Sequence, residues 1–145
     1  PICLFILSEY FKFVTYVEAK GYVMVDFYDG SVLYNFKNNE LYICDIDFFK
    51  KSPVFNDIGE DFWGSSRFKS PEEYQLNAEI TSATNVYTLA GLAFAFIGGR
   101  SDKSYEEWEA SRTLYNICIK ALASSPENRS KTISAVYREW HDANK

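Results

Sequence analysis

The chain has 145 residues, a formal charge of -5 and 47% hydrophobic residues, enough apolar material for one sizeable core, so a single domain is expected. The acidic balance argues against a nucleic-acid footprint, which needs a clustered basic surface. Cys3, Cys44 and Cys118 are odd in number and widely spaced; they give no metal site and suit a reducing, cytoplasmic compartment.

The opening PICLFIL is too short to span a bilayer and lacks the basic flank of a signal peptide, so it reads as buried protein. A chain that starts on an apolar run without an initiator methionine also reads as a piece of a longer one. From Leu4 to Lys20, apolar residues recur at three- and four-residue steps until Gly21, which predicts a helix over 1–20. Tyr22 to Asp26 is a short apolar run closed by an acid, and the turn residues of DFYDGS extend that loop to position 31. Val32 to Phe36 and Leu41 to Cys44 read as two strands around KNNE, a hairpin within 32–45.

Periodicity then fades over 45–72, where Pro53, Asn56, Gly59 and Gly64 mark a long irregular segment of the sort that carries function in compact domains. SPEEY predicts a helix start, with Ser70 as N-cap, Pro71 at the first helical position and Glu72 and Glu73 in the first turn. TNVYTLAGLAFAFI is apolar on all sides and stops at Gly98 and Gly99, the pattern of a buried central helix. Tyr105 to Ala123 and Ser130 to Asn144 predict two amphipathic helices joined by the turn SSPEN. The expected fold is therefore mainly α with a small β-hairpin, and 71–145 is a helical bundle. Trp63, Trp108 and Trp140 read as packing anchors, and His141 falls on a polar terminal helix.

Four segments, VDFYDGS, CDID, WGSSRFKSPEEY and TNVYTLAGLAFAF, together with the element order, resemble the C-terminal lobe of the protein-kinase-like superfamily, in particular bacterial serine/threonine kinase homologues. The resemblance runs over nearly the whole chain and implies a kinase C-lobe without its N-terminal lobe. It puts Asp26 at the catalytic aspartate, Ser31 at the asparagine five residues on, and Asp45 at the metal-binding aspartate that opens D-F-G. Glu72 falls at the glutamate of A-P-E, Arg129 at the arginine that pairs with it, Asn85 at the aspartate of D-x-W-S-x-G and Tyr87 at its tryptophan. Phosphoryl transfer needs one carboxylate to orient the attacking hydroxyl and another to hold Mg²⁺ against the phosphates. Asp26 takes the first role by resemblance and Asp45 the second, with Ser31 and Asp47 as weaker metal ligands. Mg²⁺ and ATP are the cofactors implied for the full-length parent.

The departures from the pattern carry information too. Met24 and Val25 replace the histidine and arginine before the catalytic aspartate, Tyr28 replaces a lysine, and Asp45, Ile46, Asp47 replace D-F-G. The D-x-D form also resembles small-molecule phosphotransferases of the aminoglycoside and choline type. The glycine-rich loop, strand lysine and paired helix glutamate are missing from the chain, so this piece alone is expected to be inactive. Three expectations follow: a protein kinase lobe, a noncatalytic pseudokinase-type module that binds a protein partner, and a small-molecule phosphotransferase. A lobe without its companion is also expected to self-associate, with PICLFIL as a candidate surface. Neither a nucleic acid nor a membrane is an expected partner.

Overall fold

A computed structural model describes residues 2–98 and 103–145. It is mainly helical, with three small antiparallel sheets of two strands each. In chain order the elements are α1 (Ile2–Ala19), β1 (Tyr22–Val23), β2 (Val32–Asn35), β3 (Glu40–Ile43), β4 (Lys50–Lys51), β5 (Val54–Phe55), β6 (Glu79–Ile80), α2 (Ser82–Ile97), α3 (Arg112–Ala121) and α4 (Ile133–Ala143).

The interior is built around α2. Its residues Val86, Leu89, Ala90, Leu92, Ala93, Phe94 and Ile97 are all buried and join one apolar cluster with Leu7, Tyr10, Phe11 and Val14 of α1. Trp140 of α4 is wholly buried and stacks on Phe11, with ring centroids 5.0 Å apart. Buried along most of its length, with Ala95 exposed near its end, α2 has no polar face to present, which is why its sequence carries no amphipathic period. Where Phe68 crosses α2, Gly91 leaves room for it; a Cβ there would lie 3.1 Å from the Phe68 ring. No helix among the described residues is long and apolar enough to cross a membrane.

The two polar-faced helices are shorter than their spacing predicts. α3 starts at Arg112 because residues 105–111 make other bonds. The Glu109 N–H donates to the Ile97 carbonyl (2.9 Å), the Trp108 indole N–H donates to the Ser111 carbonyl (3.1 Å), and the Ser111 hydroxyl then caps the helix by accepting from the Leu114 N–H (3.3 Å). α4 starts after Thr132, whose hydroxyl accepts from the Ala135 N–H at 3.3 Å. Gly98, with φ +109°, ends α2, and a Cβ there would overlap the Glu107 carbonyl. Gly99 lies outside the described residues, as does Pro1. In the rest of PICLFIL, Ile6 and Leu7 are buried, but Ile2 and Phe5 keep 38% and 45% of their surface exposed, so the segment is only half interior.

The hairpin pairs Val32 with Ile43 through Asn35 with Glu40, and its turn places Asn39 at φ 54°. The segment from 45 to 70 is less irregular than its composition predicts. β4 pairs with β1 and β5 pairs with β6, which ties positions 50–55 to the start of the preceding loop and to the strand just before α2. SPEEY departs from expectation in the opposite sense: Pro71–Tyr74 is a single 3₁₀ turn, ended by Gln75 in extended backbone (φ -103°, ψ 123°) and followed by Asn77 at φ 66°. The cap is present as read, because the Ser70 N–H and hydroxyl donate to Glu73 at 2.7 and 2.8 Å. The helix does not propagate because its carboxylates point inward to fixed partners. Trp63 is also not an interior anchor; it packs on Phe48 at 5.0 Å and remains 47% exposed.

Candidate functional site

Val23 and Val25 are buried against Val54, Phe62 and Ile80, while Met24 between them joins the helical core and its backbone is gripped by one side chain of α2. Asn85 accepts from the Met24 N–H (2.8 Å) and donates to the Met24 carbonyl (2.7 Å). On the other side of Asp26, the buried Phe27 ring stacks on Tyr10 of α1 at 5.0 Å. Asp26 is thus suspended between two anchored residues, and it takes φ 53°, in the left-handed region. Aspartate tolerates that region better than most residues, though at an energetic cost, and such conformations persist where the surroundings over-determine them.

Asp45 leaves β3 with the same backbone sign, φ 54°. The Cys44 N–H donates to the Ser31 carbonyl at 2.9 Å, which seats the end of the hairpin beside the loop. Here the two carboxylates sense each other. The Asp26 carboxyl is held above its usual range, first by burial and then by the negative charge of Asp45. Tyr28 joins them: its hydroxyl donates to Asp45 Oδ2 at 3.1 Å, and that bond, followed by the charges of Asp45 and Asp26, pushes the phenol up. Asp45 and Asp47 are exposed, whereas Asp26 is half-buried.

Ser31 is placed differently from the two acids. Its hydroxyl is wholly buried and has no hydrogen-bond partner, so it does not stand beside Asp45 on the open edge. Among the described residues no group of three or more His, Cys, Asp and Glu side chains is placed to hold a metal ion. Mg²⁺ is commonly held by only one or two carboxylates, with waters and substrate phosphates completing the shell. An exposed Asp45 with Asp26 nearby fits that donor set.

Glu72 and Arg129 meet in the interior as a two-pronged pair, Nη1 to Oε1 at 2.6 Å and Nη2 to Oε2 at 2.9 Å. Burial alone would raise the Glu72 carboxyl, but the hydrogen bonds and charge of Arg129 hold it below its usual value. The guanidinium also lies over the Tyr87 ring, 4.9 Å from its centroid. This pair supports the turn after the loop, far in role from the two aspartates.

Several residues that matter here carried little sequence signal. Arg67 Nη1 donates to Asp29 Oδ2 at 2.9 Å, tying the 64–70 stretch to the loop of Asp26. Asn56 is fully buried; its side-chain oxygen accepts from the Ile58 and Gly59 N–H groups, and its nitrogen donates to the carbonyls of Gly59 (2.8 Å) and Glu73 (3.1 Å). Lys69 is buried as well, with Nζ donating to the carbonyls of Glu60 (3.0 Å) and Phe62 (2.6 Å) and lying over the Tyr74 ring. Glu73, deeply buried, has its carboxyl pushed up to about 7, first by burial. Asp26, Ser65, Lys69, Glu73 and Thr88 share the wall of a cavity of about 10 Å³, close to the least space one water occupies. The one available cue was the S-x-x-E spacing of Ser70 and Glu73. His141 is exposed on α4 next to Asp142 and takes no part in this edge.

No protein-family model matches the chain, and no curated protein sequence matches it.

Proposed function

We propose that this chain is the helical lobe of a protein-kinase-like phosphotransferase, and that in its full-length parent the γ-phosphate of ATP passes to a protein hydroxyl. The observation that carries the reading is the pairing of Asp26 and Asp45: two carboxylates on left-handed backbone, one from a loop gripped by α2 and one from a hairpin end, electrostatically coupled across an open edge. Asp26, half-buried and with its proton affinity raised, orients the acceptor hydroxyl and draws on its proton. Asp45, exposed at the mouth, is the residue that would hold Mg²⁺, and the ion would supply charge neutralisation to the nucleotide phosphates. Asn85, through both atoms of the Met24 peptide, fixes the height of Asp26. Glu72 and Arg129 keep the preceding segment in place and touch no reacting atom.

The test joins the chain to an ATP-clamping N-terminal lobe and measures phosphate transfer to a serine- or threonine-bearing protein. Asp26→Asn and Asp45→Asn are each expected to lower the rate by about 10²–10⁴-fold, the usual worth of a positioned acid–base group. Undiminished transfer in both variants rules the reading out.

A noncatalytic, pseudokinase-type module is the second reading, and two observations favour it. Tyr28 already occupies Asp45 Oδ2, and the Ser31 hydroxyl is sealed from the edge. On this reading Mg²⁺ and nucleotide leave the aspartate resonances unmoved in solution, and the chain serves by binding a protein partner.

A further inference from the structure

Away from the two aspartates, the turn Pro71–Tyr74, strand β6 and the turn Pro126–Asn128 enclose a cleft of about 590 Å³. That volume is within the range of roughly 300–1,000 Å³ typical of ligand sites. Pro71, Ala78 and Pro126 give it apolar walls, while Glu79 and Glu127 bring carboxylates, and no lysine, arginine or histidine lines it.

The walls are joined from behind by Arg129. Its Nε donates to the Ala123 carbonyl (2.6 Å), Nη1 to Glu72 and the Ala83 carbonyl (3.1 Å), and Nη2 to Glu72 and the Ser124 carbonyl (3.0 Å). The guanidinium therefore bridges the chain before one wall and the carboxylate of the other, so the cleft is formed before anything enters it, which lowers the ordering cost of binding. Its charge is consumed there. Glu72 is matched by Arg129, and the carboxylates left on the cleft walls are Glu79 and Glu127, the latter within the field of Lys131 and Arg129. The hydrogen bond from the Ser125 hydroxyl holds the Glu127 carboxyl below its usual range, so it stays ionised at neutral pH. Lys131 donates instead to the Pro126 carbonyl at 3.3 Å and is not a wall residue. Glu79 is exposed, and its backbone is held by the pairing of β6 with β5.

We infer that this cleft is a docking site for a basic segment of a partner protein, receiving an arginine or lysine side chain. The aliphatic stem of such a side chain packs on the proline and alanine walls while its charged head reaches the carboxylates, an arrangement long cationic side chains adopt readily. An acidic segment meets carboxylates on the walls. The inference does not rest on phosphate transfer and uses none of its residues.

The experiment titrates the chain into a fluorescently labelled arginine–alanine octapeptide and follows anisotropy, with amide chemical shifts as a map. A glutamate–alanine octapeptide is the counter-probe. The basic probe is expected to bind, to move the signals of Gln75, Glu79, Ser125 and Glu127, and to weaken with salt. Replacing both rim acids, Glu79→Gln with Glu127→Gln, is expected to weaken it about tenfold or more, one decade being about 1.4 kcal/mol. Glu40→Gln with Glu106→Gln, equal in charge and elsewhere on the surface, is expected to leave affinity unchanged. Circular dichroism checks that each variant is folded. Failure of the basic probe to bind, equal binding of the acidic one, equal weakening by the control pair, or shifts mapping elsewhere each overturns the inference.

Discussion

The helical body and the stretch between β3 and α2 are held by different forces. In the body, α1, α2, α3 and α4 share one apolar cluster rich in rings, from Leu7 and Phe11 to Phe94 and Trp140. Across the 45–80 stretch the apolar contribution is smaller: Phe68 reaches the main cluster with Phe49 packed against it, and Val54, Phe62 and Ile80 form a separate one with Val23 and Val25. Buried polar groups do the rest: Asn56, Lys69 and Glu73 fasten backbone to backbone. Apolar burial is non-directional and tolerates small adjustments, whereas a buried polar group stabilises only while its partners stay in line. The aspartates of the proposed site lie at the border, supported by rings on one side and by amide and carboxyl bonds on the other.

The largest effect is expected where the two regions are clamped together. Arg129→Leu leaves the Glu72 carboxylate buried without its partner and should lower stability by about 3–5 kcal/mol. Adding Glu72→Leu should recover much of that, because the stranded charge goes with it. Urea denaturation followed by tryptophan fluorescence measures both, and a double variant no better than the single one would mean that the carbonyl bonds of Arg129 matter more than its charge.

Next comes a proton. The folded Glu73 carboxyl titrates near 7 against an ordinary 4.5, so the folded state holds a proton that the unfolded state releases. Its contribution to stability is complete below about pH 4.5 and is lost as pH rises to about 7, a change of the order of 3 kcal/mol. Glu73→Gln keeps an oxygen for the Ser70 donors and should remove this slope, leaving the variant more stable than the parent at pH 8. Thermal melts from pH 4.5 to 8 read it; parallel curves for the two proteins would refute the assignment.

Smaller, and aimed at the border itself, is Asn85→Ala. It strips the buried Met24 N–H and carbonyl of their partner, at a cost of about 2 kcal/mol or somewhat more. Hydrogen exchange should show Met24 to Asp26 opening more readily while the α3 and α4 amides hold. Least of all is Arg67→Ala, which removes a surface ion pair and should change stability by less than about 1 kcal/mol. Any larger loss would mean that the 64–70 stretch depends on its tie to Asp29.

How much of this was open to a reader of the residues follows the same division. Apolar spacing marked α1 and its stop at Gly21, the all-apolar run marked α2, and Asn38 and Asn39 marked the hairpin turn. The same spacing overran at Tyr105, where Trp108 and Glu109 bond to neighbours and only Ser111 starts a helix. At SPEEY the cap was legible, but the length was not, since a cap reports a beginning and says nothing of what lies two turns on. For the site, Asp26 and Asp45 were singled out by the resemblance of their segments to the kinase pattern, and so was the partnership of Glu72 with Arg129. Tyr28 as a partner of Asp45, and Glu73, Lys69 and Asn56 as interior polar ties, did not. A polar residue in an aperiodic stretch looks the same whether it faces water or a buried carbonyl.

Local chemistry, then, was enough to set what each segment prefers: glycine at the left-handed stops, rings and aliphatics at helical intervals, serine and threonine ahead of helices. Those preferences act over a few residues and can be read from a few residues. Only the folded arrangement decided that φ near +54° turns Asp26 and Asp45 toward one edge, that Ser31 is sealed beneath it, and that Glu73 is taken out of water. Each of these depends on groups distant along the chain, where proximity is created by packing and leaves no periodic mark.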